Sequence, residues 1–268
     1  MNVSSWLKNS KISRLDAELI LAEVLEKDRT FLVANSDLIL PDEKLAKADE
    51  LLLRRQKDEP LAYILGKKWF YGREFEVSPD VLIPRPETED LVDMALEIIE
   101  NDDSIKNIVD VGTGSGCIAI SIMLECIANE RKQIQVLGLD ISDKALTQAR
   151  RNAEKLSAPI KLQHSDLLSN LELQPDIIVA NLPYVDKGWT WNSACLKYEP
   201  ELALYADDGG LELIWRLMQQ AKDKGAKYLL LESDISQHER IVKNATKFGW
   251  RHFKTEGLIT GYRLLESL

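Results

Sequence analysis

Apolar positions recur every three to four residues through the first seventy positions. In L-D-A-E-L-I-L-A-E-V-L, Leu15, Leu19, Ala22 and Leu25 fall at helical spacing, and Leu45, Leu51 and Leu52 anchor a second stretch ending in Arg54 and Arg55. Pro41, Asp42 and Glu43 read as a helix start, with proline in the first turn and acids near the positive end of the dipole. The pattern predicts a small helical bundle. From Lys67 to Pro86 the period changes. Trp69, Phe70, Tyr71, Phe75 and Val77 alternate loosely with polar residues, which predicts a β-hairpin bounded by Gly72-Arg73 and Ser78-Pro79. A helix should follow from about Glu87 to Glu100, with Leu91, Ala95, Ile98 and Ile99 inward.

Beyond Asn107, short β-rich runs alternate with helical stretches. Strands are predicted at 108–111, 135–140, 160–164, 176–181 and 227–233, and helices at 116–129, 143–156, 210–223 and 236–248. Such alternation implies parallel strands covered on both faces, a doubly wound α/β sheet. The last runs, H-F-K-T-E and Y-R-L-L-E, can close it as an antiparallel pair. The division expected is a helical domain over 1–74, a hairpin and linker over 75–90, and an α/β domain over 91–268.

Composition narrows the classes. The 268 residues are 45% hydrophobic and 29% charged, enough for a sizeable core and far from disorder. Forty-four acids against 34 Lys and Arg give a net charge of −10, the wrong sign for gripping nucleic acid. Cys117, Cys126 and Cys195 form no C-x-x-C spacing, and His164, His238 and His252 form no metal-binding pair, which argues against a disulfide framework and a metal site. No apolar run reaches the ~18 residues of a membrane span and no export signal is visible, so the cytoplasm is the default location.

The first parallel strand runs into D-V-G-T-G-S-G-C-I-A-I, where Gly112, Gly114 and Gly116 open a helix. Backbone N–H groups and the helix dipole face whatever binds there. The spacing is G-x-G-x-G rather than the G-x-G-x-x-G of dinucleotide sites. Asp140, ending the second strand, is placed to take hydrogen bonds from two ribose hydroxyls, and Asp166, after the third, to lie near an adenine ring. Asp110 would repel a pyrophosphate but suits a cation, and S-adenosylmethionine is a cation.

The fourth strand ends in A-N-L-P-Y-V. Asn181 and the carbonyl of Leu182 offer two acceptors to the N–H bonds of a nitrogen conjugated to a π system, and the ring of Tyr184 beyond Pro183 offers a stacking face. A tetrad of this kind, N/D-P-P-Y, occurs in methyltransferases acting on such nitrogens. Taken alone it also fits a strand-end turn shaped by Asn and Pro.

With E-P-L-A-Y-I-L-G (59–66), F-E-V-S-P-D-V-L-I-P-R-P-E-T-E (75–89), Y-E-P-E-L-A-L (198–204), G-G-L-E (209–212) and L-L-L-E-S-D (229–234), the chain resembles the HemK/PrmC family, the glutamine methyltransferases of peptide chain release factors, over almost its whole length. The resemblance implies a class I S-adenosylmethionine-dependent methyltransferase, Rossmann-like, behind a helical substrate-recognition domain. It implies that S-adenosylmethionine rests on Gly112, Thr113, Gly114, Ser115 and Gly116, with Asp110 and Asn181 close by, Asp140 on its ribose, Asp166 and Leu167 around its adenine, and Thr88 near its methionine end. Asn181, Leu182, Pro183 and Tyr184 would hold the glutamine of a Gly-Gly-Gln loop, the partner being a class 1 release factor, with no nucleic acid, membrane or metal involved.

Two features depart from the family. Leu182 stands where its tetrad has a first proline, as in the N-L-P-Y of rRNA adenine dimethyltransferases. Trp189 and Trp191 match no family block and read either as a partner-contact surface or as local packing. Three alternatives remain: a ribosomal-protein glutamine as substrate, an adenine amino group in RNA or DNA, and a binding module that holds the cofactor without turnover.

Overall fold

The computed structural model describes residues 1–131, 133–186, 188–189 and 195–265. Two compact units form. The first takes in Met1–Lys67 and the stretch ending at Tyr198; the second begins at Lys68 and takes in the rest.

The first unit is helical: α1 (Val3–Asn9), α2 (Arg14–Leu25), α3 (Arg29–Ala34), α4 (Asp42–Arg55) and α5 (Leu61–Leu65). Asn2, Ser13 and Asp28 cap the first three, their side-chain oxygens accepting from backbone N–H groups three residues on. Helix α2 buries Ala17, Ile20, Leu21 and Val24, whereas Leu15 is 49% exposed. Of the expected Leu15, Leu19, Ala22 and Leu25, Ala22 is buried and Leu25 packs against the same core, so only the Leu15 end of the stripe turns outward. Apolar residues occupy nearly every side of this helix, so spacing alone does not single out a face, and Trp6, Leu32 and Leu51 in the shared core decide it. Buried Glu18 is held by Arg14 and Arg29.

The hairpin forms from β1 (Lys67–Phe70) and β2 (Arg73–Glu76). Phe70 and Phe75 pack edge to face, ring centroids 6.1 Å apart, and belong to the core of the second unit. The two units thus divide at Lys67 and Lys68, ahead of the border expected after residue 74, because both strands of the hairpin follow those two rings.

A seven-stranded sheet organises the second unit. In chain order come α6 (Glu89–Asn101), β3 (Asn107–Val111), α7 (Cys117–Ala128), β4 (Gln135–Asp140), α8 (Asp143–Lys155), β5 (Lys161–His164) and β6 (Ile177–Ala180). The short β7 (Val185–Asp186) and β8 (Tyr205–Ala206) pair beside the sheet, and the four-residue α9 (Asp207–Gly210) precedes α10 (Glu212–Asp223). Then β9 (Tyr228–Glu232), α11 (Ile235–Ala245), β10 (Trp250–Glu256) and β11 (Ile259–Leu264) complete it. The order is β10-β11-β9-β6-β3-β4-β5, with the five central and flanking strands β9 to β5 parallel and β11 antiparallel to both its neighbours. Expected strands and helices recur within a residue or two, 210–223 as α10 behind a turn whose Asp208 and Gly209 have positive φ, except that 236–248 ends at Ala245 before a 3-10 turn.

Alternation along the strands builds two cores. Ile108, Val136, Ile177, Val179 and Leu230 pack with α6 and α7 on one face; Val109, Val111, Leu137, Ile178 and Leu231 pack with α10 and α11 on the other. The chain leaves β3 for β4 on one side and returns to β6 on the other, so a crevice opens at the carboxyl ends of β3 and β6. Trp189 is half-buried and its N–H donates to the Asp186 carbonyl; Trp191 lies outside the described residues. Among the described residues, no helix is long and apolar enough to cross a membrane.

Candidate active site

The loop after β3 is fastened from below. Alternation turns Asp110 towards α7, the same face as Ile108, and there its Oδ2 accepts from Thr113 Oγ1 at 2.6 Å and from the Ala119 N–H at 3.2 Å. Gly138 lies opposite Asp110 in register, and a Cβ on it would stand 2.8 Å from Thr113 Oγ1, so its bare backbone makes room for that contact. The N–H groups of Gly112 and Thr113 both donate to the Leu139 carbonyl, at 2.8 and 2.9 Å. This needs φ of +76° at Gly112, where any other residue is strained, and a Cβ there would press on Leu182 at 3.1 Å. Asp110 is fully buried, and burial pushes its carboxyl up to about 7 against the two hydrogen bonds.

Asp140 closes the loop from the neighbouring strand. Its Oδ2 accepts from the Gly114 N–H and its Oδ1 from that of Ser142, each at 2.9 Å. Burial raises its pKa while those N–H groups and that of Ile141 oppose the rise. Asp166 takes a hydrogen bond from Arg216 at 2.6 Å, and Leu167 beside it holds a φ of +50°.

At the end of β6, the Asn181 Nδ2 donates to the Oγ1 of Thr88 at 3.1 Å. Tyr184 Oη lies 3.3 Å from Oε1 of Glu232, and the Tyr184 carbonyl accepts from Gln237 at 2.8 Å. Burial and then the charge of Glu232 raise the Tyr184 pKa. Arg85 is ion-paired with Glu199, which also accepts from the Ile83 N–H and so ties the linker to the Y-E-P-E-L-A-L block.

These groups border a cavity of about 350 Å³. Eleven expected residues line it: Thr88, Gly112, Thr113, Gly114, Ser115, Asp140, Asp166, Leu167, Asn181, Leu182 and Pro183. Three expected residues are absent from its wall. Asp110 is turned under the loop by strand alternation. Gly116 begins α7 packed on Ala149, where a Cβ would sit 3.2 Å from that methyl. Tyr184 is partly exposed, and its hydroxyl is directed to Glu232. Leu182 fills the space beside Gly112 and is 5% exposed.

Sequence reasoning missed Arg85, Arg216 and Glu232. Arg85 and Glu232 sit inside quoted motifs (I-P-R-P-E-T-E and L-L-L-E-S-D) whose individual side chains were not assigned; Arg216 carries no signal beyond a polar position on α10. The cavity pairs apolar walls, Val81, Leu82, Ile141 and Leu202 among them, with charged groups of both signs, of which Asp166 is paired with Arg216 and Asp80 with Lys144, while Asp140 is held by backbone N–H groups. Among the described residues no cluster of three or more His, Cys, Asp and Glu is arranged to hold a metal ion.

Comparison with known proteins follows the same division. A family model described as the PrmC N-terminal domain matches residues 2–66, and one described as the Methyltransferase small domain matches residues 91–246. The release factor glutamine methyltransferase of Neisseria gonorrhoeae is 40% identical over 243 residues, covering 88% of this chain and 86% of that protein. That of Aliivibrio fischeri is 33% identical over 269 residues, covering 94% and 89%. Among solved structures, the hMettl16 catalytic domain with a MAT2A 3'UTR hairpin overlays with a TM-score of 0.54 at 16% identity, covering 87% of this chain and 84% of that one, which shows a shared fold.

Proposed function

This chain belongs to the release factor glutamine methyltransferase family, and we propose that it transfers a methyl group from S-adenosylmethionine to the side-chain amide nitrogen of the glutamine in the Gly-Gly-Gln loop of class 1 peptide chain release factors. The observation that carries the reading is the placement of Asn181. Its amide borders the cavity, and its nitrogen is already engaged by Thr88.

The residues present fit S-adenosylmethionine. The loop from Gly112 brings backbone close to the cavity without a Cβ at Gly112 and Gly114, and Asp140, held by two N–H groups and without a cationic side-chain partner among the described residues, leaves a carboxylate facing the cavity that suits the ribose and a cation. Gly112 to Ser115, Asp140, Asp166 and Leu167 would hold it, with Thr88 towards the methionine end. When bound, S-adenosylmethionine supplies an electrophilic methyl group.

The protein's part is to make a poor nucleophile competent. An amide nitrogen has its lone pair delocalised into the carbonyl. With Nδ2 on Thr88, the Oδ1 of Asn181 serves as acceptor for one substrate N–H, and the Leu182 carbonyl serves for the other. Holding both N–H bonds draws the nitrogen towards tetrahedral geometry and aims its lone pair, so positioning and fixed dipoles supply most of the acceleration. The apolar walls exclude water, and the nitrogen's extra proton departs to solvent after transfer. The same reading places the enzyme in the cytoplasm, where translation occurs.

The test is incubation with methyl-labelled S-adenosylmethionine and a purified release factor. Label in the Gly-Gly-Gln peptide by mass spectrometry, absent from a loop variant with Gln replaced by Ala, is the expected result. Label in rRNA, in a ribosomal-protein glutamine, or in neither protein nor RNA overturns it.

A further inference from the structure

Glu232 is the buried carboxyl nearest the tetrad. Leu231 pairs with Ala180 across the parallel β6–β9 ladder, so Glu232 and Asn181 are the next positions of adjacent strands. Alternation turns Glu232 away from the core that holds Leu231, towards the Thr88 turn at the start of α6. It is 2% exposed, yet no Lys or Arg is paired with it among the described residues. Oε1 meets Tyr184 Oη, and Oε2 is buried without a hydrogen-bond partner. Thr88, Tyr184 and Asn181 each favour its ionised form.

We propose that Glu232 is the positioning residue for Asn181, acting through Thr88 so that the tetrad amide presents oxygen, not nitrogen, to the substrate. The inference rests on the reading of Asn181 given above.

The Thr88 hydroxyl has one proton and accepts the Asn181 Nδ2. Its own proton is therefore free to turn elsewhere, and in the proposed relay it turns to the buried, unpartnered Oε2 of Glu232. A carboxylate only accepts, so while Glu232 is ionised the proposed relay has one direction: Asn181 Nδ2 to Thr88 Oγ1, as observed, and Thr88 Oγ1 on to Glu232. Protonation reverses it. The carboxylic acid then donates to Thr88, the Thr88 proton turns to Asn181, and the tetrad amide flips, offering donors to a substrate that also brings donors.

Both states are within reach. Burial pushes Glu232 up to about 7, with neighbouring Thr88, Tyr184 and Asn181 opposing and the nearby Glu87 charge adding to the rise. The other titratable groups facing this cluster are Cys117 on α7, whose own pKa Glu232 raises, and Arg85 and Asp234, which bear on Tyr184. The amide is thus held in its working orientation above about pH 7 and released below it.

The test uses the full chain. In the protein without substrate, the side-chain amide resonances of Asn181 should shift with a midpoint near pH 7, and Glu232→Gln should abolish that titration. Glu232→Gln should also lower kcat roughly tenfold or more while affinity for S-adenosylhomocysteine stays within about threefold, and Glu232→Asp should recover part of the loss. If Glu232→Gln does not fold, Thr88→Val carries the same test through the amide titration, which it should abolish in the protein without substrate or cofactor. A pH-independent Asn181 amide in the wild type, wild-type turnover in Glu232→Gln, or an amide titration that persists in Thr88→Val overturns the proposal. Failure of the wild type to methylate any glutamine refutes the function itself and is told apart by the amide titration, which needs no substrate.

Discussion

Asn181 reaches across 93 positions of chain to place its Nδ2 3.1 Å from the Oγ1 of Thr88. That bond commits one end of the amide to the protein and leaves the other for the substrate. Asn181→Ala should therefore reduce turnover by about a hundredfold or more, the scale of losing a preorganised acceptor at the reacting atom. The glycine loop and Asp140 are untouched by it. Calorimetry with S-adenosylhomocysteine should show affinity changed by only a few-fold, and an equal loss of affinity and turnover would reassign Asn181 to cofactor binding alone.

Asp140 has two duties. Its oxygens accept from Gly114 and Ser142, so it shapes the loop as well as facing the cavity. Asp140→Ala leaves both N–H groups without their acceptor, and affinity for S-adenosylmethionine should fall at least about thirtyfold, with a loss of roughly 1–2 kcal/mol in stability. Asp140→Asn keeps one acceptor and should recover part of the stability but little of the affinity. Calorimetry and chemical unfolding on the two variants separate the duties; unchanged affinity in both would remove Asp140 from the site.

The sheet was legible because strand and helix spacing repeats over the whole second unit, and the loop because glycines, a strand end and an acid follow in order. The face of α2 was not, since apolar residues surround that helix and only its neighbours choose among them. Asp110 was read as facing a ligand because it ends a strand, but alternation from Ile108 places it beneath the loop; counting parity along β3 would have found this. The partner of the Tyr184 hydroxyl, Glu232, lies 48 positions away and was not assigned. A residue whose role is set by a strand neighbour distant in sequence leaves no local trace.

The G-G-L-E block bears on the site through Gly210. Its φ is +82°, and a Cβ there would sit 1.9 Å from the Tyr184 carbonyl oxygen and 2.6 Å from Gln237 Nε2. Neither can yield without moving the tetrad, because the Gln237 side chain bridges the Tyr184 and Gly209 carbonyls. Gly210→Ala should cost at least about 2 kcal/mol and displace Tyr184, lowering turnover more than cofactor affinity. Gly72→Ala is a control: its φ is also positive, at +71°, but nothing lies within 4 Å of the added methyl, so it should carry the conformational cost without loss of turnover. Equal behaviour of the two variants would show that backbone strain, not the contact with Tyr184, governs position 210.

Asp110 predicts how stability depends on pH. Burial raises its carboxyl from 3.8 to about 7. The folded chain therefore holds a proton that the unfolded chain releases, so the group's stabilising contribution is complete below about pH 4 and is lost as the pH rises through 7. Asp110→Asn cannot ionise, keeps an oxygen for Thr113 and Ala119, and places an amide where Oδ1 now stands without a partner. Its stability relative to the wild type should therefore improve between about pH 5 and pH 8, by an amount on the order of a few kcal/mol. Glu232 titrates in the same window but is present in both proteins and drops out of the difference. Urea unfolding without cofactor at the two pH values gives the comparison directly. A constant gap between Asp110→Asn and wild type would mean that Asp110 is already ionised in the folded protein, with Thr113 and the α7 N–H groups stabilising the charge more strongly than burial opposes it.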